Sequence, residues 1–197
     1  MLKELVLQNR SYRGFDAKYH FSEQQLRELV DHARLSPSSV NAQPFRYYLS
    51  WEAEEVARLN PLTNWAKGLP QLTLPHPGME PTGFIIICQD MVWGESIARY
   101  QKDIGIVAQT ILLAAAEQQL GGCMIGNFSP RAVKEALELS EGLEPVLIIA
   151  LGKPAERVVL TEVGEDGSVA YYRDDEDVHY VPKRRLDDII CTKGGRH

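Results

Sequence analysis

The feature that most constrains the fold is a long helical segment that has almost no polar side. Residues 97–120 form the longest predicted helix, and within residues 104–116 only Gln109 and Thr110 interrupt the apolar and small side chains. A helix that is apolar on nearly every side lies in the centre of a protein. We therefore expect the other elements to pack around this helix.

Helices and strands are interspersed along the rest of the chain, but good strands are few. A capping box formed by Ser22 and Gln25 begins a helix that ends before Ser36. Apolar runs predict strands at 45–50, 84–88 and 144–151, with a short strand or turn at 123–126. Further helices are predicted at 2–8, 52–59, 129–139 and, briefly, after residue 185. With so few strands and no GxGxxG motif after the first, we predict an α+β domain with helices around a small sheet.

Two glycines and a loop set the predicted boundaries. Gly121 and Gly122 follow the long helix and are expected to end it. Residues 60–81 show no periodicity and contain five of the chain's 11 prolines. Loops of this length are usually functional or disordered. The whole of residues 1–197 is predicted to be one domain with an irregular, proline-rich loop at about 60–81.

Composition and motif content exclude several classes of protein. A net charge of −6 argues against a nucleic-acid partner. The three cysteines, Cys88, Cys123 and Cys191, form no CxxC pair, so neither a disulfide framework nor a metal site is expected. The N-terminus does not read as a signal peptide. No run approaches the ~18 apolar residues of a membrane span, which points to the cytoplasm and to no membrane partner.

The first polar segment that could bind a ligand is residues 9–15, NRSYRGF. In it Arg10 and Arg13 place two guanidinium groups around the hydroxyl of Ser11. Guanidinium groups offer a fork of donors that matches phosphate oxygens. The same residues also fit a solvated basic turn that pairs with surface carboxylates, and the local sequence leaves both interpretations open.

Two further segments carry neutral groups that suit a flat heteroaromatic ligand. Residues 36–44, SPSSVNAQP, bring hydroxyl and amide side chains that could read ring carbonyls and N–H groups without charge. They also fit a turn that is stabilised by its own side chains. Residues 121–127, GGCMIGN, place glycines where a backbone could approach a ring closely, or where a helix simply connects to a strand. Residues 182–185, PKRR, are a third basic spot.

The order of these segments resembles the nitroreductase family. The similarity rests on NRSYRGF, SPSSVNAQP, DIGIVAQTILLAAAEQQLGG, IALGKP and VPKRRL, in that order, and runs from about residue 2 to about residue 190. Five motifs in the family's order are hard to obtain by chance. The resemblance implies a small, mostly antiparallel sheet surrounded by helices, in an intertwined homodimer with FMN at the subunit interface.

The resemblance also implies which residues hold the flavin. At the phosphate and ribityl end they would be Arg10, Ser11 and Arg13, with Lys183 and either Arg184 or Arg185. From the partner subunit they would be Ser38, Ser39, Asn41 and Gln43. Beside the isoalloxazine ring they would be Ile125, Gly126 and Asn127. No catalytic side chain is implied, because in this family the flavin carries the chemistry.

The expected function is an oxidoreductase that moves reducing equivalents from NADH or NADPH through FMN to a nitroaromatic, a quinone or a similar small electrophile. Alternatives with the same fold are other flavin chemistry, such as dehalogenation or flavin fragmentation, and flavin binding without turnover. Trp65, in the 60–81 loop, is expected near the mouth of the cleft, where its ring could stack on a substrate. It could equally anchor the loop on the protein body.

Overall fold

The computed structural model describes residues 1–91 and 96–193, which form five α-helices and seven strands. The helices are α1 (Leu2–Gln8), α2 (Glu23–Arg34), α3 (Ala53–Leu59), α4 (Gln101–Glu117) and α5 (Pro130–Ala136). The strands are β1 (Phe45–Ser50), β2 (Gly83–Asp90), β3 (Gly121–Ile125), β4 (Leu143–Gly152), β5 (Val158–Glu162), β6 (Tyr172–Arg173) and β7 (His179–Lys183). Short 3₁₀ helices lie at Ser39–Asn41, Asn60–Leu62 and Ile97–Tyr100.

These residues group into two compact units. The first contains Met1–Trp65 and Thr73–Ala155, and the second contains Ala66–Leu72 and the chain from Glu156 onward. The prediction that residues 1–197 are one domain stays a prediction. Among the helices of the described residues, none has the length and apolar character needed to cross a membrane.

The first unit is built on a four-stranded antiparallel sheet in the order β1-β2-β4-β3. Successive side chains of a strand point to opposite faces of the sheet. Ile85 and Ile87 of β2 therefore join a core cluster with α2 and α4, whereas Phe84 and Ile86 join a second cluster with α3 and α5. Helices cover both faces of the sheet, which confirms the α+β prediction of a small antiparallel sheet surrounded by helices.

Helix α4 is the central helix of this unit, although it is not buried on every side. Ala108, Ile111 and Ala115 are fully buried, while Ile106 keeps 41% of its surface exposed. The prediction of a central helix is confirmed for most of its circumference. If the core continues into a second chain, an apolar side chain such as Ile106 would be exposed in the single chain.

The prediction that Gly121 and Gly122 end the long helix is wrong. Helix α4 ends at Glu117, Gln119 adopts a left-handed φ of 59°, and both glycines lie inside β3. A Cβ on Gly122 would lie 2.3 Å from the carbonyl oxygen of Ala150. The glycine is therefore required by the close approach of β3 to β4.

The second unit contains a three-stranded sheet that the sequence did not predict. β7 lies in the middle, parallel to β5 and antiparallel to β6. Inside the unit, the buried Arg173 pairs with the buried Glu156 and with Asp177. The short helix predicted after residue 185 is wrong, because residues 186–189 form only turns. Such a short segment cannot offset the cost of helix nucleation.

Of the predicted loop at about 60–81, residues 60–62 form a 3₁₀ helix, and the residues from 63 to the start of β2 contain no helix or strand. The loop is nevertheless attached to the protein, because Leu69 and Leu74 are buried and Thr63 forms an isolated β-bridge with Phe128.

Candidate functional site

The N-terminal segment and two other family motifs meet in the first unit. The Tyr12 amide donates to the carbonyl of Gly122 at 3.0 Å, and Ser11 forms an isolated parallel bridge with the same glycine. Further along, the Asp16 amide donates to the carbonyl of Lys153 at 2.9 Å. Residues 10–16, the start of β3 and the chain after β4 are thus neighbours, although they are far apart in the sequence.

Glycines allow this approach. The ring of Tyr12 lies over Gly121, where a Cβ would come within 2.4 Å of the ring atom Cδ2. The ring of Phe15 lies over Gly152, where a Cβ would come within 2.6 Å of Cδ1. Any larger residue at either glycine would displace an aromatic ring of the NRSYRGF segment or the strand that carries the glycine.

Arg10 and Arg13 follow α1 and turn back onto the backbone. An Nη of Arg10 donates to the carbonyl of Val6, and Nη1 of Arg13 donates to the carbonyl of Ser11 at 3.1 Å. Within the described residues, Arg10 has no carboxylate in ion-pair range, and its buried Nε has no hydrogen-bond partner. Burial lowers the pKa of Arg10. A partly buried guanidinium with an unused donor is suited to an anionic ligand.

Ser38 and Ser39 bind a carboxylate of their own chain. The hydroxyl of Ser38 donates to Oδ2 of Asp103 at 2.9 Å, the Ser39 amide donates to Oδ2 at 2.7 Å, and the Ser39 hydroxyl donates to Oδ1 at 2.9 Å. Asp103 is buried. Burial by itself raises the pKa of Asp103, but these three hydrogen bonds favour the charged form and bring the pKa below its usual value. The carboxyl is therefore ionised at neutral pH.

The backbone after these serines is strained. Val40, Asn41 and Gln43 have φ values of 48°, 53° and 47°, a region that side-chain-bearing residues rarely adopt. Nε2 of Gln43 donates to Oδ1 of Asn41 at 3.1 Å, so the two predicted amide contacts lie together. Val40 keeps 83% of its surface exposed. Strain of this kind persists where the surrounding structure enforces it, and it is commonest at functional sites.

The third predicted segment lies at the end of β3. Ile125 is buried, whereas Gly126 and Asn127 are exposed. The carbonyl of Asn127 accepts hydrogen bonds from the backbone amide and from Nδ2 of Asn64, each at 3.1 Å. A Cβ on Gly126 would meet no heavy atom within 4 Å, so the backbone here is open to an approaching ligand.

Trp65 lies next to this contact. Its indole N–H donates to Oγ1 of Thr63 at 2.8 Å, and its half-buried ring packs against the core cluster that contains Ile86 and Val133. These contacts are those expected of a residue that anchors the loop. The role of Trp65 in substrate binding stays a prediction.

The predicted C-terminal contacts lie in the second unit. Lys183 ends β7, and its carbonyl accepts from the Val163 amide at 3.0 Å, while its side chain is exposed. Arg185 forms an ion pair with Glu162 at 3.3 Å. Arg184 is exposed and makes no ion pair with the described residues. Their approach to a flavin phosphate stays a prediction.

Two residues of this region were not predicted. Asp103 could have been noticed as the carboxylate that directly precedes the apolar stretch of α4. Nothing in the neighbouring sequence marks Asn64 as a site residue, because its hydrogen bond to the carbonyl of Asn127 exists only in the folded chain. In the described part of the chain, no group of three or more His, Cys, Asp or Glu side chains is arranged to hold a metal.

Comparison with known proteins agrees with this fold and its segments. The model of the nitroreductase family matches residues 6–71 and 78–153. The chain therefore belongs to the nitroreductase family.

Curated relatives support the same placement. An oxygen-insensitive NADPH nitroreductase of Helicobacter pylori is 28% identical over 181 residues, which cover 77% of this chain and 86% of the relative. The Bacillus subtilis protein YdgI, provisionally named an NAD(P)H nitroreductase, is 34% identical over 192 residues, which cover 78% of this chain and 88% of the relative.

Solved structures show the fold. The chain resembles a nitroreductase-like protein of Exiguobacterium sibiricum, determined in complex with FMN, with a TM-score of 0.69 and 19% identity over 98% of this chain and 97% of that one. It resembles a nitroreductase family protein of Streptococcus pneumoniae with a TM-score of 0.67 and 20% identity over 98% and 100% of the two chains.

Proposed function

We propose that this protein is an FMN-dependent oxidoreductase. It would take reducing equivalents from NADH or NADPH and deliver them through the flavin to a nitroaromatic, a quinone or a similar small electrophile. Support comes from family membership, from the nicotinamide donors in the names of two relatives and from the FMN in the Exiguobacterium structure.

The observation on which the proposal rests is the partial burial of Arg10 and its lack of an acidic partner among the described residues. Its guanidinium is partly buried, its Nε has no hydrogen-bond partner in the described residues, and no carboxylate among them pairs with it. This environment of Arg10 argues against a solvated basic turn, which was the alternative interpretation of the sequence. A phosphate group carries close to two negative charges and accepts several hydrogen bonds, so it is the natural partner for such a group. Arg10, Ser11 and Arg13 of the first unit would hold it.

The residues proposed for the ring, apart from the buried Ile125, are polar without charge or have an open backbone. Ser38, Ser39, Asn41 and Gln43 would reach the flavin from the partner subunit, and Ile125, Gly126 and Asn127 would lie beside the ring. The open space around Gly126 and the exposure of Asn41 and Gln43 fit a flat ligand. A neutral heteroaromatic ring needs such donors and acceptors and a close backbone.

The proposal includes a homodimer. Ile106 on α4 and Val40 beside the strained segment are apolar and exposed in the single chain. A partner subunit that covers them would remove apolar surface from water at the place where the family resemblance puts the second subunit's contacts.

The protein's part in the reaction would be to bind and orient the cofactor and its reactants. When bound, FMN would supply the redox chemistry that connects the nicotinamide donor with the acceptor. The chain's polar residues would hold the phosphate and the ring edge, and the 60–81 loop with Trp65 would contact the acceptor. No side chain of the chain is assigned a catalytic proton transfer.

The test is reconstitution of the apoprotein with FMN, followed by stopped-flow reduction with NADH and NADPH. We expect one FMN per subunit and bleaching of the yellow colour by at least one donor. A protein that binds FMN but is not bleached would be a flavin-binding protein without turnover, and one that takes up no FMN would refute the proposal.

Arg10→Ala tests whether Arg10 binds the flavin phosphate. Loss of a charge-assisted hydrogen-bonding group costs about 1.5–3 kcal/mol, so the FMN dissociation constant should rise roughly ten- to a hundredfold. The matched control is Arg131→Ala, which removes an exposed guanidinium from α5 and should leave the constant unchanged. Equal dissociation constants for wild type and Arg10→Ala would show that Arg10 belongs to a solvated basic turn and does not bind the phosphate.

A further inference from the structure

A buried carboxylate stands at the start of the most apolar helix. Asp103 is 2% exposed and lies in the first turn of α4. No Lys or Arg of the described residues forms an ion pair with it. A buried charge needs hydrogen-bond donors to compensate for lost hydration, and a helix N-terminus adds a favourable field for an anion. Here the donors come from Ser38 and Ser39.

The hydrogen bonds of Asp103 extend beyond the two serines. Because the Ser38 hydroxyl donates its hydrogen bond to Asp103, its oxygen can accept one, and the backbone amide of Gln43 donates to it at 3.1 Å. These hydrogen bonds connect the first residue of the segment 38–43 to its last. Between those points lie Val40 and Asn41, which have positive φ values, and Gln43 itself does as well.

The exposure of the segment argues against a purely stabilising role for this network. Residues 39–43 are exposed, so ordering them buries little of their own apolar surface. Fixing the backbone of exposed residues in unfavourable conformations costs free energy that the folded chain does not recover by burial. An ordered, strained and exposed segment is instead what a preorganised binding surface requires.

We propose that Asp103 is a positioning residue for the flavin-contact segment 38–43. Its carboxylate fixes the Ser38 hydroxyl and the Ser39 amide, and through them it keeps Val40, Asn41 and Gln43 in the left-handed conformation before a ligand binds. The inference rests on the proposed function, in which Asn41 and Gln43 meet the FMN of the partner subunit. Asp103 itself acts through the serines and does not contact the cofactor.

The test is Asp103→Asn, which keeps the size of the side chain but removes its charge. The amide has only one oxygen, so it cannot accept all three hydrogen bonds. We expect amide hydrogen exchange of residues 39–43 to become faster in the apoprotein. We expect the FMN dissociation constant, measured by fluorescence titration, to rise about tenfold, which corresponds to about 1.4 kcal/mol.

A matched control separates positioning from general stability. Val133→Ala leaves a cavity in the fully buried cluster on the other face of the sheet and does not touch the segment. It should lower the thermal midpoint without changing the exchange of residues 39–43. If that exchange becomes faster to the same extent in Val133→Ala at a matched loss of thermal midpoint, Asp103 has only a structural role and the inference is overturned.

A second variant tests the route through the serine. Ser38→Ala breaks the connection between Asp103 and Gln43, so it should reproduce the faster exchange, and combining it with Asp103→Asn should add little. Ser38→Ala also carries the exchange test if Asp103→Asn does not fold.

The readouts distinguish the two ideas. Wild-type apoprotein that binds no FMN overturns the proposed function. Unchanged exchange of residues 39–43 in both variants overturns the role of Asp103, whatever the protein binds.

Discussion

The contact between Gly121 and the ring of Tyr12 allows a direct test of how the NRSYRGF segment is held. A Cβ added at Gly121 would lie 2.4 Å from Cδ2 and 2.7 Å from Cε2 of Tyr12, and 2.9 Å from Cγ of Pro154. All three distances are too short for carbon atoms in van der Waals contact. The ring is also tied at its far end, because its hydroxyl donates to the carbonyl of Gln8 at 2.9 Å. Gly121→Ala must therefore move the ring or the strand.

The magnitude follows from two opposing effects. Overpacking a close-packed site costs about 1–3 kcal/mol, and replacing a strand glycine by alanine returns about 0.5–1 kcal/mol. The middle of the two ranges gives a net loss of about 1 kcal/mol. For a chain of this size, each kcal/mol lowers the thermal midpoint by roughly 2–4 °C, so Gly121→Ala should melt about 2–4 °C below wild type.

Gly126→Ala is the matched control, because a Cβ there meets no heavy atom within 4 Å. Its midpoint, measured by scanning calorimetry on the FMN-free protein, should lie within the range of a neutral surface change, about ±0.5 kcal/mol. Combining Gly121→Ala with Tyr12→Ala should be less destabilising than the sum of the two, since the ring that causes the overlap is gone. A Gly121→Ala protein as stable as Gly126→Ala would refute this reasoning.

The remaining predictions concern the thiols and the loop. A thiol reagent at pH 8 should modify the exposed Cys191 rapidly but not Cys88 or Cys123, because both are buried and burial raises the pKa of Cys88 to about 12. Cys191→Ser should abolish the rapid phase, and fast labelling that persists in that variant would contradict the prediction. Trp65→Ala should lower the thermal midpoint through lost packing and should change the turnover ratio between a quinone and a nitroaromatic. A lower midpoint with an unchanged ratio would assign Trp65 to anchoring the loop only.

The elements that the sequence predicted well are those whose apolar residues are continuous. β2 and β4 read as apolar runs because helices cover both faces of the sheet, so neither side of the strand needs polar residues. The N-terminus of α2 was predictable for a local reason, since Ser22 and Gln25 form the capping box within one turn. In these cases the information lies within a few neighbouring residues.

The elements that were missed depend on distant contacts. β5, β6 and β7 are short, and most of their residues are half-buried or exposed, so their sequence lacks the apolar runs of the main sheet. The glycines at 121 and 122 could end a helix or allow close packing, and local sequence does not separate these roles. The second role follows from Tyr12 and Ala150, which only the fold brings near.

The candidate site shows the same division. The polar character of Ser38, Ser39, Asn41 and Gln43 was visible in the sequence, and so was the basic character of Arg10 and Arg13. The unused donor of Arg10 and the strain at residues 40–43 were not, because both depend on how the surrounding chain packs. The partner of the serines, Asp103, lies on another element of the fold.

Helix α4 connects the proposed dimer with the proposed flavin contact. Residues three, four and seven apart lie on one face of a helix, so Asp103, Ile106 and Thr110 share a face. Asp103 binds Ser38 and Ser39 at the start of the flavin-contact segment, and the hydroxyl of Thr110 lies 2.9 Å from that of Ser36, two residues before the segment. Ile106, exposed between them, is the apolar side chain that a second subunit would cover.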